Sequence, residues 1–412
     1  MTTLYFGGLD FGSSGARISI ITNNSEVIYE NSTNYIYEFK NPIGWILACE
    51  KLLKSLPIKI KNNLSKLSIS GTSGTLLACS LDGNSLGSAI PYNEPCHIER
   101  KLLNLIAGEN ESLKSPYSSL SKTLHLLNIH GTNILLRHQS DWLSGWLLSN
   151  WEYGEEGNNI KLGWNLYDSS WPENFYSISW YKALPLIRKS GEALGKINIA
   201  LAKKLNLNQN ISIIAGTTDS NASYIAAEIN AKDGLAVLGT TIVLKKLISI
   251  PIEEVGITNH RINNQWICGG ASNAGCGILS KFFSNLELEE LSKQINPQKT
   301  TNLKLMPLNC KGERFPVNDP DLEPLVDPRP VSDALFLHAL LEGLANIELR
   351  GWEKLEELTG EFPKQIVTIG GGAKNPQWRM IREKIIKVPI ISCNKNTSYG
   401  SALIALKSNK LK

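Results

Sequence analysis

The apolar residues in the N-terminal part of the chain fall into short runs separated by turn-forming residues. Residues 4–21 are apolar on either side of a Gly- and Ser-rich turn at 10–15, which predicts the two strands of a β-hairpin. Residues 26–30 and 66–70 have the composition of further strands, and residues 45–53 have apolar positions at helical spacing. The chain therefore begins with a strand, a turn and a strand, and then alternates between helices and strands.

The alternation continues through the middle of the chain. Apolar spacing predicts helices at residues 124–128 and 142–148 and over the long segment 191–205. A short strand is predicted at 212–215, where a β-rich run ends in glycine. This succession of elements is typical of an α/β protein.

A second block of elements starts near residue 229. Two strands are predicted at 234–238 and 242–249, followed by an irregular segment with Pro and Asn at 297–330 and a long helix at 331–358. The last predicted elements are a strand at 365–370, a helix at 376–388, a strand at 388–392 and a closing helix at 398–408. The sequence thus predicts two α/β halves of similar size, each opening with strand, turn and strand.

Composition narrows the class of protein. The 412 residues are 42% hydrophobic and 19% charged, and the net charge of +4 is spread without a basic block, so nucleic-acid or membrane-surface binding is not expected. The seven cysteines include no C-x-x-C pair, which argues against a disulfide framework or a thiolate zinc site and predicts buried thiols in a reducing cytosol. The N-terminal apolar run contains charges and lacks a basic leader, so a cytoplasmic location is expected.

The first candidate site is the turn of the N-terminal hairpin. Asp10 stands at the end of an apolar strand and is followed by Gly12, Ser13 and Ser14, which offer backbone N–H groups and hydroxyls. Such a turn can hold a phosphate, and Asp10 can hold the Mg²⁺ that accompanies it, because Mg²⁺ prefers one or two carboxylates plus phosphate oxygens. A plain hairpin with a capping aspartate explains this segment equally well when it is taken alone.

The second candidate is Asp219. It follows an apolar strand and stands where a helix is predicted to begin, a position that favours an ionised carboxylate able to accept a proton from a substrate hydroxyl. The alternative is an ordinary helix N-cap, which is the commoner meaning of a Thr-x-Asp sequence before a helix.

Two glycine-containing turns are further candidates. Gly239, Thr240 and Thr241 lie between two predicted strands and repeat the chemistry of the first turn, so the two turns together could grip one polyphosphate, although a simple hairpin explains them as well. Residues 370–375 follow a buried strand and precede a helix, and their glycines would let the backbone approach a flat ring or a phosphate closely. A tight strand-to-helix turn explains this last segment nearly as well.

Several competing motifs fail. Residues 191–196 look like a P-loop but have one residue too few between the glycines, and Ile197 stands where Ser or Thr belongs. No G-x-G-x-x-G sequence follows a predicted strand, which argues against a dinucleotide-binding domain. The six histidines are not at metal-ligand spacing.

The four candidate segments, in their order along the chain, resemble the FGGY carbohydrate kinases of the actin-like ATPase superfamily. The resemblance extends over essentially the whole chain, since residues 190–207 and 341–350 also match family segments. It implies two α/β domains of the actin-like (ribonuclease H-like) kind, residues 1–226 and 227–397, with a nucleotide and sugar cleft between them. It also implies that the closing helix within 398–412 can pack back on the first domain.

The resemblance implies roles for the candidate residues. ATP and Mg²⁺ are the implied cofactors, with Asp219 as general base and Asp10 as a catalytic carboxylate and metal ligand. The implied ATP-binding residues are Gly12, Ser13, Ser14, Gly239, Thr240, Thr241, Gly371, Gly372, Ala373 and Asn375. The implied substrate-binding residues are Asp10, Ser73, Gly74, Tyr92, Asp219 and Ser220. The expected partners are a small sugar and ATP, with no nucleic acid and no membrane, in a monomer or homodimer.

The loop implied to hold the sugar departs from a common family pattern. Within the family the chain is most similar to the short ribulokinase- and xylulokinase-like members of cyanobacteria and plants. Xylulokinases of the bacterial type carry Gly-Gln-Met-His-Gly at this loop, whereas residues 71–75 here are Gly-Thr-Ser-Gly-Thr. A second departure is Tyr92, in a segment where the family often has Trp-x-Asp; its ring would wall the sugar pocket or, alternatively, pack in the core.

These departures bear on the substrate. A small, hydroxyl-bearing loop changes the hydrogen bonds offered to a ketose. The prediction is therefore ATP-dependent phosphorylation of D-ribulose at its terminal hydroxyl to D-ribulose 5-phosphate, with D-xylulose or another polyol or ketose as the alternative. A non-catalytic actin-like sugar sensor is a more remote alternative.

Overall fold

A computed structural model of the chain describes residues 4–262 and 265–408. Its strands are β1 (Tyr5–Phe11), β2 (Gly15–Ile21), β3 (Val27–Asn34), β4 (Leu64–Gly71), β5 (Leu76–Cys79), β6 (Leu135–His138), β7 (Tyr153–Glu155), β8 (Leu186–Arg188), β9 (Ala193–Lys196), β10 (Ser212–Thr218), β11 (Gly234–Leu238), β12 (Ile242–Ile248), β13 (Ile257–Ile262), β14 (Gln265–Ala271), β15 (Ile366–Ile369) and β16 (Ile390–Ser392). Its helices are α1 (Pro42–Lys54), α2 (Ile58–Asn63), α3 (Arg100–Ala107), α4 (Ser119–His130), α5 (Gln139–Leu148), α6 (Glu156–Asn159), α7 (Ile199–Leu205), α8 (Asp219–Ala226), α9 (Cys276–Leu279), α10 (Asn285–Gln294), α11 (Asp333–Thr359), α12 (Pro376–Ile386) and α13 (Thr397–Lys407).

The described residues form two compact units. Unit 1 runs to Ala226 and includes the chain from Lys395 onwards, and unit 2 is Ala227–Asn394. Each unit has its own six-stranded sheet and its own hydrophobic core. Among the described residues, none of the helices combines the length and apolar character that a membrane crossing needs.

The sheet of unit 1 has the strand order β3-β2-β1-β4-β10-β9. β1, β2 and β3 form an antiparallel meander, β4 is parallel to β1, and β10 is parallel to β4. Because β1, β4 and β10 run in one direction, their carboxyl ends meet at one edge of the sheet, the edge at which α/β proteins bind ligands. The register places Asp10 of β1 beside Ser70 of β4, and Ser70 beside Thr217 of β10.

The closing helix α13 belongs to unit 1 and packs against β1 and α8. A Cβ at Gly8 of β1 would lie 2.1 Å from the α13 backbone, and one at Gly400 of α13 would lie 1.9 Å from the Ala222 carbonyl oxygen of α8. Glycine is therefore needed at both contacts. In this way α13 supports both the strand that carries Asp10 and the helix that begins at Asp219. Residues 409–412 of the predicted closing segment lie outside the described residues.

The sheet of unit 2 has the order β13-β14-β12-β11-β15-β16. The neighbouring pairs β13–β14, β14–β12 and β12–β11 are antiparallel, and the pairs β11–β15 and β15–β16 are parallel. A buried ion pair fixes the helices beside it. Arg382 of α12 donates to both carboxylate oxygens of Glu348 in α11, at 2.5 and 2.7 Å, and to Thr368 Oγ1 of β15 at 3.0 Å. This network fixes the two elements that flank the turn at residues 370–375.

Most predicted elements are confirmed, including the N-terminal hairpin, the β11–β12 hairpin and the long helix α11. The helix predicted over 191–205 is wrong in its first half, where β9 pairs antiparallel with β10. Gly191 and Gly195 both have positive φ, which a helix does not accept, and the helix begins only after its cap, Asn198. The cysteine prediction is partly wrong, because Cys310 is exposed and Cys276 and Cys393 are partly exposed; all seven are free thiols.

Candidate active site

Asp10 is a buried carboxylate at the carboxyl edge of the unit 1 sheet. Ser70 Oγ donates to Asp10 Oδ1 at 3.0 Å, and Ser401 Oγ of α13 donates to Ser70 Oγ at 2.9 Å. Burial is the main cause that raises the pKa of Asp10 to about 7, and the negative charge of Asp219 adds to it, while the Ser70 hydrogen bond and the Arg17 guanidinium act in the opposite sense. Asp219 is therefore close enough to Asp10 for its charge to affect the ionisation of Asp10.

This raised pKa predicts a stability penalty for Asp10. The folded-state value of about 7 lies above the ordinary value of 3.8, so the folded protein retains a proton that the unfolded chain releases between these pH values, and stability falls as the pH rises through this window. The free energy of unfolding of the Asp10→Asn variant should therefore exceed that of the wild type by about 2–4 kcal/mol at pH 8. Near pH 4 the two proteins should be about equally stable. Urea unfolding of the nucleotide- and metal-free proteins at both pH values measures it. A variant that is less stable than the wild type at pH 8 would contradict the buried-charge argument.

Asp219 is the first residue of α8 and is partly buried. Its Oδ1 accepts the N–H of Ser220 at 2.7 Å. The hydrogen bond that caps the helix is made by another residue, because Thr218 Oγ1 accepts the N–H of Asn221 at 3.3 Å. The N-cap alternative for Asp219 therefore loses its support. Ser220, the next predicted substrate residue, is exposed.

Two hydrogen bonds from Tyr35 hold the first hairpin turn in place. Its hydroxyl donates to the Gly12 carbonyl at 2.8 Å, and its N–H donates to the Ser14 carbonyl at 3.3 Å. The Gly12 N–H is used within the turn, at 3.0 Å from the Gly15 carbonyl, so it is not the free donor that the sequence suggested. Ser13 and Ser14 are exposed and remain the groups of this turn that a phosphate could meet.

The loop at residues 71–75 follows β4 at the same edge of the sheet. The Thr72 N–H and hydroxyl both donate to Gln139 Oε1, at 3.0 and 2.9 Å, and the hydroxyls of Thr72 and Thr75 are 2.7 Å apart. Thr75 Oγ1 also accepts the N–H of Tyr92 at 3.2 Å. These internal hydrogen bonds fix the loop and use the two threonine hydroxyls, which leaves Ser73 and Gly74 as its tip.

A buried lysine supports this tip. Lys122 Nζ donates to the carbonyl oxygens of Gly74 at 2.8 Å and Pro91 at 2.7 Å, and burial lowers the pKa of Lys122 to about 8. Gly74 has φ of +89°, a conformation that favours glycine. The Tyr92 side chain is 42% exposed, so the core-packing alternative for Tyr92 is wrong.

In unit 2 the two predicted glycine segments meet at one cavity of about 720 Å³. Its lining includes the predicted residues Gly239, Thr240, Gly371, Gly372 and Asn375. Thr241 and Ala373 are not in the lining. The Ala373 N–H bonds the Gly370 carbonyl at 3.2 Å and its own carbonyl accepts Ser392 Oγ at 3.0 Å, so Ala373 shapes the turn.

Asn375 fixes the exit of this turn. Its side-chain oxygen accepts the N–H of Trp378 at 3.0 Å and so caps α12, and its Nδ2 donates to Ser292 Oγ of α10 at 2.9 Å. The two central glycines differ. A Cβ at Gly371 would meet nothing within 4 Å, whereas one at Gly372 would lie 2.4 Å from the Trp378 ring.

Sequence reasoning missed one wall of the cavity and the side chains that support the loop at residues 71–75. The wall comes from α10, whose lining residues are Asn285, Leu288, Glu289, Ser292 and Lys293. A usable signal was the capping box of Ser284 and Glu287, which marks the start of α10. Lys122 and Gln139, which donate to or accept hydrogen bonds from the loop at residues 71–75, carry no comparable local signal.

The residues at the sheet edge of unit 1 do not form a metal centre by themselves. Within the described parts of the chain, no group of three or more His, Cys, Asp or Glu side chains is placed to hold a metal ion. Asp10 nevertheless suits a cation that brings its other ligands with it. Its carboxylate is buried and faces the charge of Asp219, so a nearby cation would favour its ionised form.

The chain is similar to carbohydrate kinases in sequence and in fold. Residues 234–408 match the FGGY family of carbohydrate kinases, C-terminal domain. A xylulose kinase of Staphylococcus epidermidis is 24% identical over 441 residues, covering 97% of this chain and 86% of that protein. The structure of a xylulose kinase from Brucella ovis superposes with a TM-score of 0.85 at 18% identity, covering 98% of this chain and 90% of that one. A Plasmodium falciparum glycerol kinase solved with ADP has a TM-score of 0.80 at 16% identity, covering 98% and 89%.

Proposed function

We propose that the chain, whose residues 234–408 match the C-terminal domain of the FGGY carbohydrate kinases, is a kinase of this family that phosphorylates an open-chain ketopentose, D-ribulose, at the terminal hydroxyl. It is an ATP-dependent sugar kinase with two α/β domains of the actin-like ATPase fold. The proposal concerns the identity of the sugar and the role of each site residue. The observation that carries it is the meeting of Asp10, Asp219 and a compact hydroxyl-bearing loop at one sheet edge.

Asp219 is the general base of the proposed reaction. Its carboxylate accepts the proton of the sugar's terminal hydroxyl while that oxygen forms a bond to the γ-phosphorus of ATP and the bond from this phosphorus to the β,γ-bridging oxygen breaks, which releases ADP. The partly buried position of Asp219 and the separate capping of α8 by Thr218 support this role. Ser73, Gly74, Tyr92 and Ser220 orient the sugar.

Asp10 is the proposed ligand of Mg²⁺. A single buried carboxylate fits Mg²⁺, which takes one or two protein carboxylates and completes its shell with phosphate oxygens and water. When bound, this ion neutralises charge on the phosphate groups.

The nucleotide is held by backbone-rich turns. In the proposal, Gly371, Gly372 and Asn375 contact the adenosine, and Ala373 shapes their turn. Gly239 and Thr240 meet phosphate groups, and Thr241 completes their turn. In unit 1 the proposed phosphate contacts are Ser13 and Ser14, in the turn that Gly12 shapes. The cavity shared by the segments at 239–240 and 371–375 supports the unit 2 part of this assignment. Open space beside Gly371 supports close approach of a flat ring.

The choice of D-ribulose rests on the sugar loop. D-Ribulose and D-xylulose differ only in configuration at C3, so the enzyme distinguishes them through groups that meet the middle of the sugar. The Thr72 and Thr75 hydroxyls are used inside the loop, which leaves a small tip, Ser73 and Gly74, where bacterial xylulokinases carry a larger Met-His pair. D-Xylulose is the second candidate, and the name of the Staphylococcus epidermidis relative favours it.

The test is ADP release with Mg-ATP against D-ribulose, D-xylulose, L-ribulose, glycerol and xylitol, with the Asp219→Ala variant as control. We expect D-ribulose to stimulate ADP release at least about tenfold more than the other sugars, and the variant to lose the stimulation. Stimulation by D-xylulose instead would keep the mechanism and overturn the sugar-loop argument. No stimulation by any sugar would favour the sensor alternative.

A further inference from the structure

Lys161 lies against the tip of the sugar loop. It belongs to the single turn Ile160–Leu162, which follows α6, and its side chain is exposed. Its Nζ is 3.5 Å from the Ser73 carbonyl oxygen. A Cβ built on Gly74 would come 3.3 Å from Lys161 Cδ and 3.6 Å from Nζ. The aliphatic part of Lys161 therefore covers Gly74, and its ammonium group stands beside Ser73.

Lys122 and Lys161 contact this loop from different sides. Lys122 is fully buried and donates to the carbonyl oxygens of Gly74 and Pro91, so it supports the loop from inside. Lys161 is close enough to Lys122 for its charge to lower the pKa of the Lys122 amine, yet Lys161 lies on the exposed side. The ammonium group of Lys161 therefore lies on the exposed side of the loop tip, beside the Ser73 carbonyl oxygen.

We propose that Lys161 is a specificity-determining residue that donates a hydrogen bond to the C2 carbonyl oxygen of the ketose. This inference rests on the proposed function, which places Ser73 and Gly74 against the sugar. A lysine ammonium has three donors and no acceptor, and a carbonyl oxygen only accepts, so the two groups are matched. The corresponding polyol carries a hydroxyl at C2, whose own proton must be turned away or satisfied elsewhere. Lys161 therefore favours a ketose over the polyol with the same carbon chain.

The experiment compares D-ribulose with ribitol, which has the same chain with C2 reduced. In Lys161→Met, which retains the apolar stem and removes the charge, we expect KM for D-ribulose to rise at least about tenfold with kcat within about threefold. KM for ribitol, or its inhibition constant if it is not phosphorylated, should change less than about twofold. Lys161→Arg should restore most of the affinity for D-ribulose, because it restores the charged donor.

A matched control separates recognition from folding. Lys203→Met removes an exposed lysine from α7 of the same unit, and it should change neither KM value. Equal losses for D-ribulose and ribitol in Lys161→Met, or no loss for either, would overturn the role of Lys161 while leaving the kinase function in place. If no pentulose stimulates the wild-type protein, the proposed function itself fails and this inference falls with it.

Discussion

Replacing Asp219 by Asn should lower sugar-stimulated kcat by at least about 1,000-fold and leave ATP affinity within about threefold. The substitution retains size and one oxygen, which can still accept the Ser220 N–H, but it removes the group that takes the hydroxyl proton. The cap of α8 stays, because it is made by Thr218 Oγ1. Steady-state ADP release with saturating sugar measures the first effect, and calorimetric titration with ADP measures the second.

The control for this experiment is Asp168→Asn. Asp168 is an exposed carboxylate of unit 1 whose Oδ2 accepts a local hydrogen bond from Asn165 Nδ2 at 2.7 Å. Its substitution should leave kcat within about twofold, since exposed local pairs contribute little. If Asp219→Asn retained wild-type activity, the general base would have to be another group. If it lost nucleotide binding and thermal stability together, its effect would be structural.

The pattern of apolar residues was sufficient for the central elements of both sheets. β1 and β10 are buried along their whole length, and their continuous apolar runs identified them. The failures have local causes. Over 191–205 the apolar spacing imitates a helix, but two glycines with positive φ place residues 193–196 in a strand. Four of the ten residues of α10 are Glu or Lys, so its apolar signal was weak.

The site was predictable where it consists of strand ends and turns, and not where it depends on distant side chains. Asp10 lies near the end of one apolar strand and Asp219 directly follows another, so both positions can be read from the sequence. The parallel register brings these strand ends to one edge of the sheet. Gln139 and Lys161 contact the loop at residues 71–75 from 67 and 88 residues away along the chain. Neither stands in a motif, and only the packing of α5 and of the turn Ile160–Leu162 onto the loop reveals them.

The Gly371→Leu variant should bind nucleotide at least about tenfold more weakly than the wild type, and unit 2 should stay folded. A Cβ at Gly371 meets nothing within 4 Å, and Gly371 lines the unit 2 cavity, so the added side chain would occupy space that the proposal gives to adenosine. Its φ is not in the positive region, so a larger residue does not strain the backbone. Titration with ADP, and KM for ATP at saturating sugar, measure the effect; KM for the sugar should stay within about twofold.

Gly372→Ala is the matched comparison for Gly371→Leu, because at the neighbouring position an added Cβ would clash with the protein instead of entering open space. Its Cβ would lie 2.4 Å from the Trp378 ring, 2.9 Å from Leu238 Cβ and 3.0 Å from Cys276 Sγ, so the turn must shift. We expect a loss of about 1–3 kcal/mol in unfolding free energy, measured by urea unfolding, whereas Gly371→Leu should stay within about 0.5 kcal/mol. If Gly371→Leu keeps both its stability and its wild-type ADP affinity, the adenosine site lies elsewhere. If it loses stability as Gly372→Ala does, the space beside Gly371 is not available to a ligand.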